Sequence, residues 1–166
     1  TRVLIETSMG EITVELDAAN APNTVANFLG YVDDGFYDGS DGNGQTTFHR
    51  VISGFMIQGG GIKADGSQKS TKSPIAIESD NGLSNQRGTI AMARTSDPNS
   101  ATSQFFINHA NNTYLDYENS ANPGYTVFGE VVSGMETVDV IAAVTTGSND
   151  VPNDTISIEG VSIVSE

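Results

Sequence analysis

The sequence contains no cysteine and no tryptophan. The lack of thiols excludes disulfides, a cysteine nucleophile and Cys-ligated zinc, but leaves the redox compartment open, because a cysteine-free chain survives in either state. Basic residues are scarce as well. Seven Lys and Arg stand against 21 Asp and Glu, giving a formal charge of -14 and a pI near 4.2. Such a field repels phosphate backbones and anionic lipid, so neither nucleic acid nor a membrane surface is an expected partner. Only two histidines occur, His49 and His109, a poor basis for a zinc site. Asp38, Asp41 and Asn43 carry oxygen ligands, yet they lack the D-x-D/N-x-D/N-G spacing and closing Glu of a calcium loop. No metal and no other cofactor is expected. The longest apolar run, Val140 to Val144, is far short of the roughly 20 residues of a spanning helix and of the roughly 7 or more of a secretory core. Also missing are a G-x-S-x-G elbow, a phosphate-binding G-x-x-x-x-G-K loop and H-E-x-x-H, and Gly59-Gly60-Gly61 lacks the later glycine of a G-x-G-x-x-G turn.

What is present suits one globular domain over residues 1–166, with 37% hydrophobic and 17% charged residues. Val3-Leu4-Ile5, a turn at Ser8-Met9-Gly10, and the alternation of Ile12, Val14 and Leu16 with Glu11, Thr13 and Glu15 predict a hairpin with one wet face. From Pro22 the apolar spacing becomes helical through Val25, Phe28, Leu29 and Val32, with Gly35 placed to end the helix. Asp38 to Gly44 is turn chemistry throughout and predicts an exposed, mobile loop. Further strands are predicted at Thr47–Ile52, Phe55–Gln58, Thr89–Ala93, Phe105–Asn108 and Thr126–Val132, and a second helix from Met135 to about Val144. In the last strand Ile156 and Ile158 alternate in one phase and Val161 and Ile163 in the other, which predicts a bulge at Gly160. Many strands with two helices far apart favour a closed, eight-stranded antiparallel β-barrel capped by those helices.

Chemistry concentrates in Phe48-His49-Arg50-Val51-Ile52-Ser53-Gly54-Phe55-Met56-Ile57-Gln58-Gly59-Gly60. A strand pair here can set Arg50 and Gln58 on one face beside Phe55 and Met56, making an apolar floor with two donors above it. The alternative is that Phe55 and Met56 belong to the core and Arg50 pairs with a surface carboxylate. The residues alone leave both open.

This segment resembles the signature of the cyclophilins, peptidyl-prolyl cis-trans isomerases whose motif reads F-H-R-V/I-I-x-x-F-M-I-Q-G-G. Three further blocks match the family in order: Arg87 to Arg94, Ser100 to Asn108, and Val127 to Met135. The helix motif A-P-x-T-V-x-N-F at Ala21 to Phe28, the opening hairpin and the closing strand extend the resemblance over essentially the whole chain. The wording at Ala91–Thr95, Ser100–Asn108 and Gly124–Val132 is similar to that of the bacterial branch.

The resemblance implies a proline-binding groove made of Arg50, Phe55, Met56, Gln58, Gln104, Phe106 and Leu115. It also implies a backbone-contact wall at Ala93, Arg94 and Thr95, where vertebrate members read Ala-Asn-Ala. Tyr114 stands where those members have Trp, and Tyr125 where they have a groove His. Because a phenol lacks the indole N–H, the first change implies only weak cyclosporin binding. The implied activity is rotation about X-Pro bonds without a covalent intermediate, Arg50 donating to the prolyl nitrogen and no cofactor taking part. Proline-containing peptides and folding proteins are the implied partners of a monomeric enzyme. The rival expectation is a non-catalytic proline-peptide binding module or holdase. His49 is expected to serve as a structural hydrogen-bonding residue. Strand-like residues begin as early as Val3, which favours a cytoplasmic location, with a periplasmic protein shorn of its signal peptide as the alternative.

Overall fold

Strands β1 (Arg2–Thr7) and β2 (Gly10–Leu16) form the predicted hairpin, paired antiparallel from Arg2 opposite Glu15 to Thr7 opposite Gly10. Its turn is held locally: the Thr7 hydroxyl donates to the Gly10 carbonyl at 2.8 Å and accepts the Met9 amide at 3.1 Å. In this computed structural model, which describes residues 1–164, the chain continues through helix α1 (Pro22–Asp33), β3 (Phe48–Ile52), β4 (Met56–Gly59), β5 (Thr89–Met92), β6 (Phe105–Asn108), β7 (Val127–Ser133), α2 (Met135–Ala142) and β8 (Ile158–Val164). The eight strands form one antiparallel sheet in the order β3-β4-β6-β5-β7-β2-β1-β8. The sheet curls on itself, so the barrel expectation holds with one refinement. Among the described residues no strand ladder joins the edge strands β3 and β8. The seam is held by an isolated bridge between Thr47 and Ser157, with Phe48 N–H on Ile156 O and Ile158 N–H on Thr46 O, each 2.9 Å.

Alternation places Ile5, Ile12, Val14, Ile57, Phe105, Ile107 and Phe128 on the inner face, all almost fully buried. Phe28 of α1 closes one end of this core by packing against Tyr37, Phe105 and Phe128 at ring distances of 5.3, 5.6 and 5.3 Å. The first amides of α1 need acceptors, and Ala21 at the cap has no side chain to offer one. Glu78 supplies it from far along the chain: Oε1 accepts Thr24 N–H at 2.7 Å and the Thr24 hydroxyl at 2.6 Å, and Oε2 accepts Asn23 N–H at 3.3 Å. A carboxylate there also meets the positive end of the helix dipole. Gly35, at φ +70°, ends the helix as expected.

The bulge is confirmed. Glu6 pairs with Gly160 and Thr7 with Ile158, so Glu159 is left over. Val161 is buried beyond it, but Ile163 is half exposed, contrary to the alternation expected there. Helix α2 ends at Ala142, two residues before the expected Val144.

The expected free loop at Asp38–Gly44 is instead tied down. The Lys69 ammonium, 4% exposed, sits inside it, donating to Asp41 Oδ2 at 3.0 Å, Phe36 O at 2.8 Å and Gly44 O at 2.7 Å, and lies 4.6 Å from the Phe36 ring centre. Asp38 accepts from Ser40 on one oxygen and from Val161 N–H on the other, stitching the loop to β8. A cation does meet the carboxylate of Asp41, and it belongs to the chain.

Candidate functional site

The outer face of the sheet carries the site, because side chains alternate across a strand and those flanking the inward Ile57, Phe105 and Ile107 must point out. The ladders align Arg50 (β3) opposite Gln58 (β4), Gln58 opposite Phe106 (β6), and Phe106 opposite Ala91 (β5). Four neighbouring strands thus hold one row, with about 4.8 Å between strands. Met56, Ala91, Phe106 and Val127 form a buried apolar cluster separate from the main core, against which Ile52, Phe55, Leu83, Ala93, Leu115 and Tyr125 pack. Above it opens a cavity of about 140 Å³ lined by Arg50, Phe55, Met56, Gln58, Ala93, Arg94, Phe106, Leu115 and Tyr125.

Arg50 is exposed, and its guanidinium has no hydrogen bond or ion pair among the described residues. The carboxylate-paired alternative for Arg50 therefore fails, while Met56, 2% exposed, serves the outer cluster and leaves the barrel interior to Ile57. Gln58 Nε2 donates to Gln104 Oε1 at 2.9 Å, so the two amides orient each other at one edge of the row. At the other side Arg94 leaves β5 and folds over Tyr125, its guanidinium carbon 4.5 Å from the ring centre. Its Nε and Nη2 donate to Gly124 O at 3.1 and 2.8 Å, and Nη1 to Thr95 O at 2.8 Å. Tyr125 in turn meets Phe106 edge-on at 5.7 Å. Gly124 has φ +65°, and any side chain there would collide with the Leu115 carbonyl, so the Tyr125 wall requires glycine before it.

Three residues named from the sequence stand apart from the cavity lining. The Thr95 hydroxyl donates to Ser100 Oγ at 2.8 Å in an exposed turn. The Gln104 side chain meets the site through Gln58, and its carbonyl accepts the Ala93 N–H at 3.0 Å. Tyr114, 69% exposed, forms the outer rim, stacked on Phe55 at 6.3 Å with its hydroxyl donating to Asn112 Oδ1 at 3.3 Å.

Sequence reasoning missed the polar support beneath the floor. Asn85, Asn108 and Asn112 are buried and mutually bonded: Asn108 Nδ2 donates to Asn85 Oδ1 at 3.1 Å, and Asn112 Nδ2 to Asn108 Oδ1 at 2.8 Å and to Phe55 O at 2.9 Å. Asn85 also reaches Leu115 O at 3.2 Å. A buried network satisfied this way rigidifies what it touches, here the backbones of two cavity residues. Two asparagines in loop-like contexts and one at the end of a strand give no local signal of that role. His49, expected to be a structural hydrogen-bonding residue, has its Nδ1 buried without a hydrogen-bond partner among the described residues. Burial pushes the His49 pKa down, and the neighbouring Arg50 charge acts in the same direction. The imidazole is therefore neutral near pH 7, and Arg50 and Arg94 are the cations that line the cavity.

A profile of the cyclophilin type peptidyl-prolyl cis-trans isomerase/CLD family matches residues 2–163. The chain belongs to the cyclophilins. Among its relatives, peptidyl-prolyl cis-trans isomerase A of Dickeya dadantii is 51% identical, over 99% of this chain and 85% of that protein. Peptidyl-prolyl cis-trans isomerase cyp18 of Streptomyces antibioticus is 52% identical, over 98% of both. A crystal structure of a Cryptosporidium parvum cyclophilin type isomerase, in the presence of the dipeptide Ala-Pro, matches the whole of both chains with a TM-score of 0.81 and 30% identity. These similarities make the cyclophilin a peptidyl-prolyl cis-trans isomerase, and the rival of a non-catalytic binding module gives way.

Proposed function

We propose that this cyclophilin isomerises X-Pro bonds in proline-containing peptides and folding proteins at the cavity above Met56 and Phe106, with Arg50 as the transition-state donor. Rotation about the bond faces a barrier of about 18–20 kcal/mol, because the C–N bond has partial double-bond character. At the twisted geometry the nitrogen regains a lone pair, and a donor that meets it there favours the transition state over both ground states. Arg suits this task because it stays charged throughout the working pH range, so no proton transfer is needed. The observation that carries the reading is the free Arg50 guanidinium at the end of the Gln58–Phe106 row, beside an apolar floor.

Phe55, Met56, Phe106 and Leu115 would take the proline ring, which is desolvated there without losing a hydrogen bond, since a prolyl nitrogen has no N–H to satisfy. The Gln58–Gln104 pair offers amides to the flanking carbonyls. Exchange spectroscopy on a short X-Pro peptide tests the proposal. The account expects acceleration above the uncatalysed rate and a raised KM in Phe55→Ala. A wild-type protein without acceleration, or a Phe55→Ala variant with unchanged KM, contradicts it.

A further inference from the structure

The His109 imidazole, just past β6, is gripped from two sides. Nδ1 lies 2.8 Å from the Gly54 amide, which donates to it, and Nε2 lies 3.0 Å from Asp139 Oδ1 on α2. A backbone amide can only donate, so Nδ1 must hold a lone pair and the imidazole proton must sit on Nε2, facing the carboxylate. Asp139 is itself anchored: Arg87 Nη1 and Nη2 each approach one of its oxygens at 2.9 Å, and Nη1 also donates to His109 O at 2.9 Å. The Arg87 hydrogen bond, with His109 contributing, holds the Asp139 carboxyl below the usual carboxylate range.

The residue after Gly54 is Phe55. Gly54, at φ +75°, closes the β3–β4 turn, and Phe55 N–H donates to Ile52 O at 3.0 Å. His109 holds this turn a second time through its own backbone, whose N–H donates to Phe55 O at 2.9 Å. The backbone on both sides of the Phe55 Cα is therefore pinned by one histidine, although His109 does not line the cavity.

We propose that His109 is a positioning residue for the proline groove: its Nε2–H tautomer, held by the Arg87–Asp139 pair, locks the Gly54 amide and thereby the Phe55 wall. This inference rests on the reading of Phe55 as part of the substrate site.

Three substitutions at His109 separate positioning from bulk. Asn puts an oxygen where Nδ1 stands and can accept the Gly54 amide; Gln puts its polar end near Nε2 and cannot; Leu keeps volume alone. The expected result is a KM raised about tenfold in His109→Leu and His109→Gln, the scale of one lost hydrogen bond, with kcat changed less and KM largely restored in His109→Asn. Gly54 amide exchange should be slow in the wild type and His109→Asn and fast in the other two. If His109→Leu does not fold, the Asn and Gln variants carry the comparison, with thermal midpoints measured alongside. Equal KM and equal Gly54 exchange in the Asn and Gln variants, in a protein where Phe55→Ala does raise KM, overturn the inference and leave the groove reading standing. An unchanged KM in Phe55→Ala overturns the groove reading itself, and the proposed role of His109 with it.

Discussion

Arg94 lies flat over Tyr125, 4.5 Å from its ring centre, with three of its nitrogens committed to the Gly124 and Thr95 carbonyls. The guanidinium thus braces one wall of the cavity, and in the proposed function Arg50 is the residue left to meet substrate. Truncation in Arg94→Ala removes a cation–π contact and three hydrogen bonds, so the ring gains freedom and KM should rise about three- to tenfold with little change in kcat. Tyr125→Phe keeps the ring and should stay close to wild type. Steady-state kinetics on one X-Pro peptide distinguish these outcomes; a fall in kcat alone would assign Arg94 to the chemistry instead.

Tyr114 forms an exposed rim with its hydroxyl turned to Asn112. It offers no indole N–H, so cyclosporin should bind weakly, and Tyr114→Trp should tighten it by about tenfold, the contribution of one recovered hydrogen bond. Calorimetric titration of both proteins checks this. Equal affinities would remove Tyr114 from the explanation.

Lys69 is a buried ammonium whose partners are Asp41 and two backbone carbonyls. Lys69→Met strands those carbonyls and a carboxylate, so it should destabilise the fold by about 3–5 kcal/mol, as loss of one partner of a buried pair does. Denaturant unfolding measures it. A loss below about 1 kcal/mol, the value of a surface pair, would show that the loop does not depend on the lysine.

His49 resists protonation in the folded state, whereas in the unfolded chain it titrates near its ordinary value of about 6.5. Acid therefore favours the unfolded chain: stability present above about pH 6.5 is lost as pH falls from there through the folded-state pKa. Asp38, Asp41 and Asp139 are also depressed, but act only below the ordinary carboxylate range. Thermal midpoints between pH 8 and 5.5 should fall more steeply in the wild type than in His49→Gln. Parallel curves would contradict the assignment.

How far the sequence carried this reading depended on the range of each interaction. Strand Phe105–Asn108 reads from its β-rich run, the groove position of Phe106 from the family resemblance, and the Gly160 bulge from a phase change within one strand. The floor residues were likewise legible from their motif. Contacts spanning long stretches of chain were not. Asp38–Gly44 reads as a free loop until Lys69, well downstream, is seen inside it. That the Arg94 side chain spends its donors on the Gly124 and Thr95 carbonyls does not show in its wall motif, and His109 shows nothing of Gly54 from its local sequence. Barrel closure by one bridge at Thr47 and Ser157 is equally invisible to periodicity.

The central claim is that Arg50 acts in the transition state. The direct measurement is kcat/KM for an X-Pro peptide in the wild type and Arg50→Ala, with thermal midpoints recorded on the same samples. Because the guanidinium makes no hydrogen bond or ion pair among the described residues, the midpoint should stay put. The catalytic efficiency should fall by at least about 100-fold, through kcat more than KM, as on removal of one preorganised donor. A variant that folds equally well and retains kcat/KM within about threefold of the wild type would contradict the account.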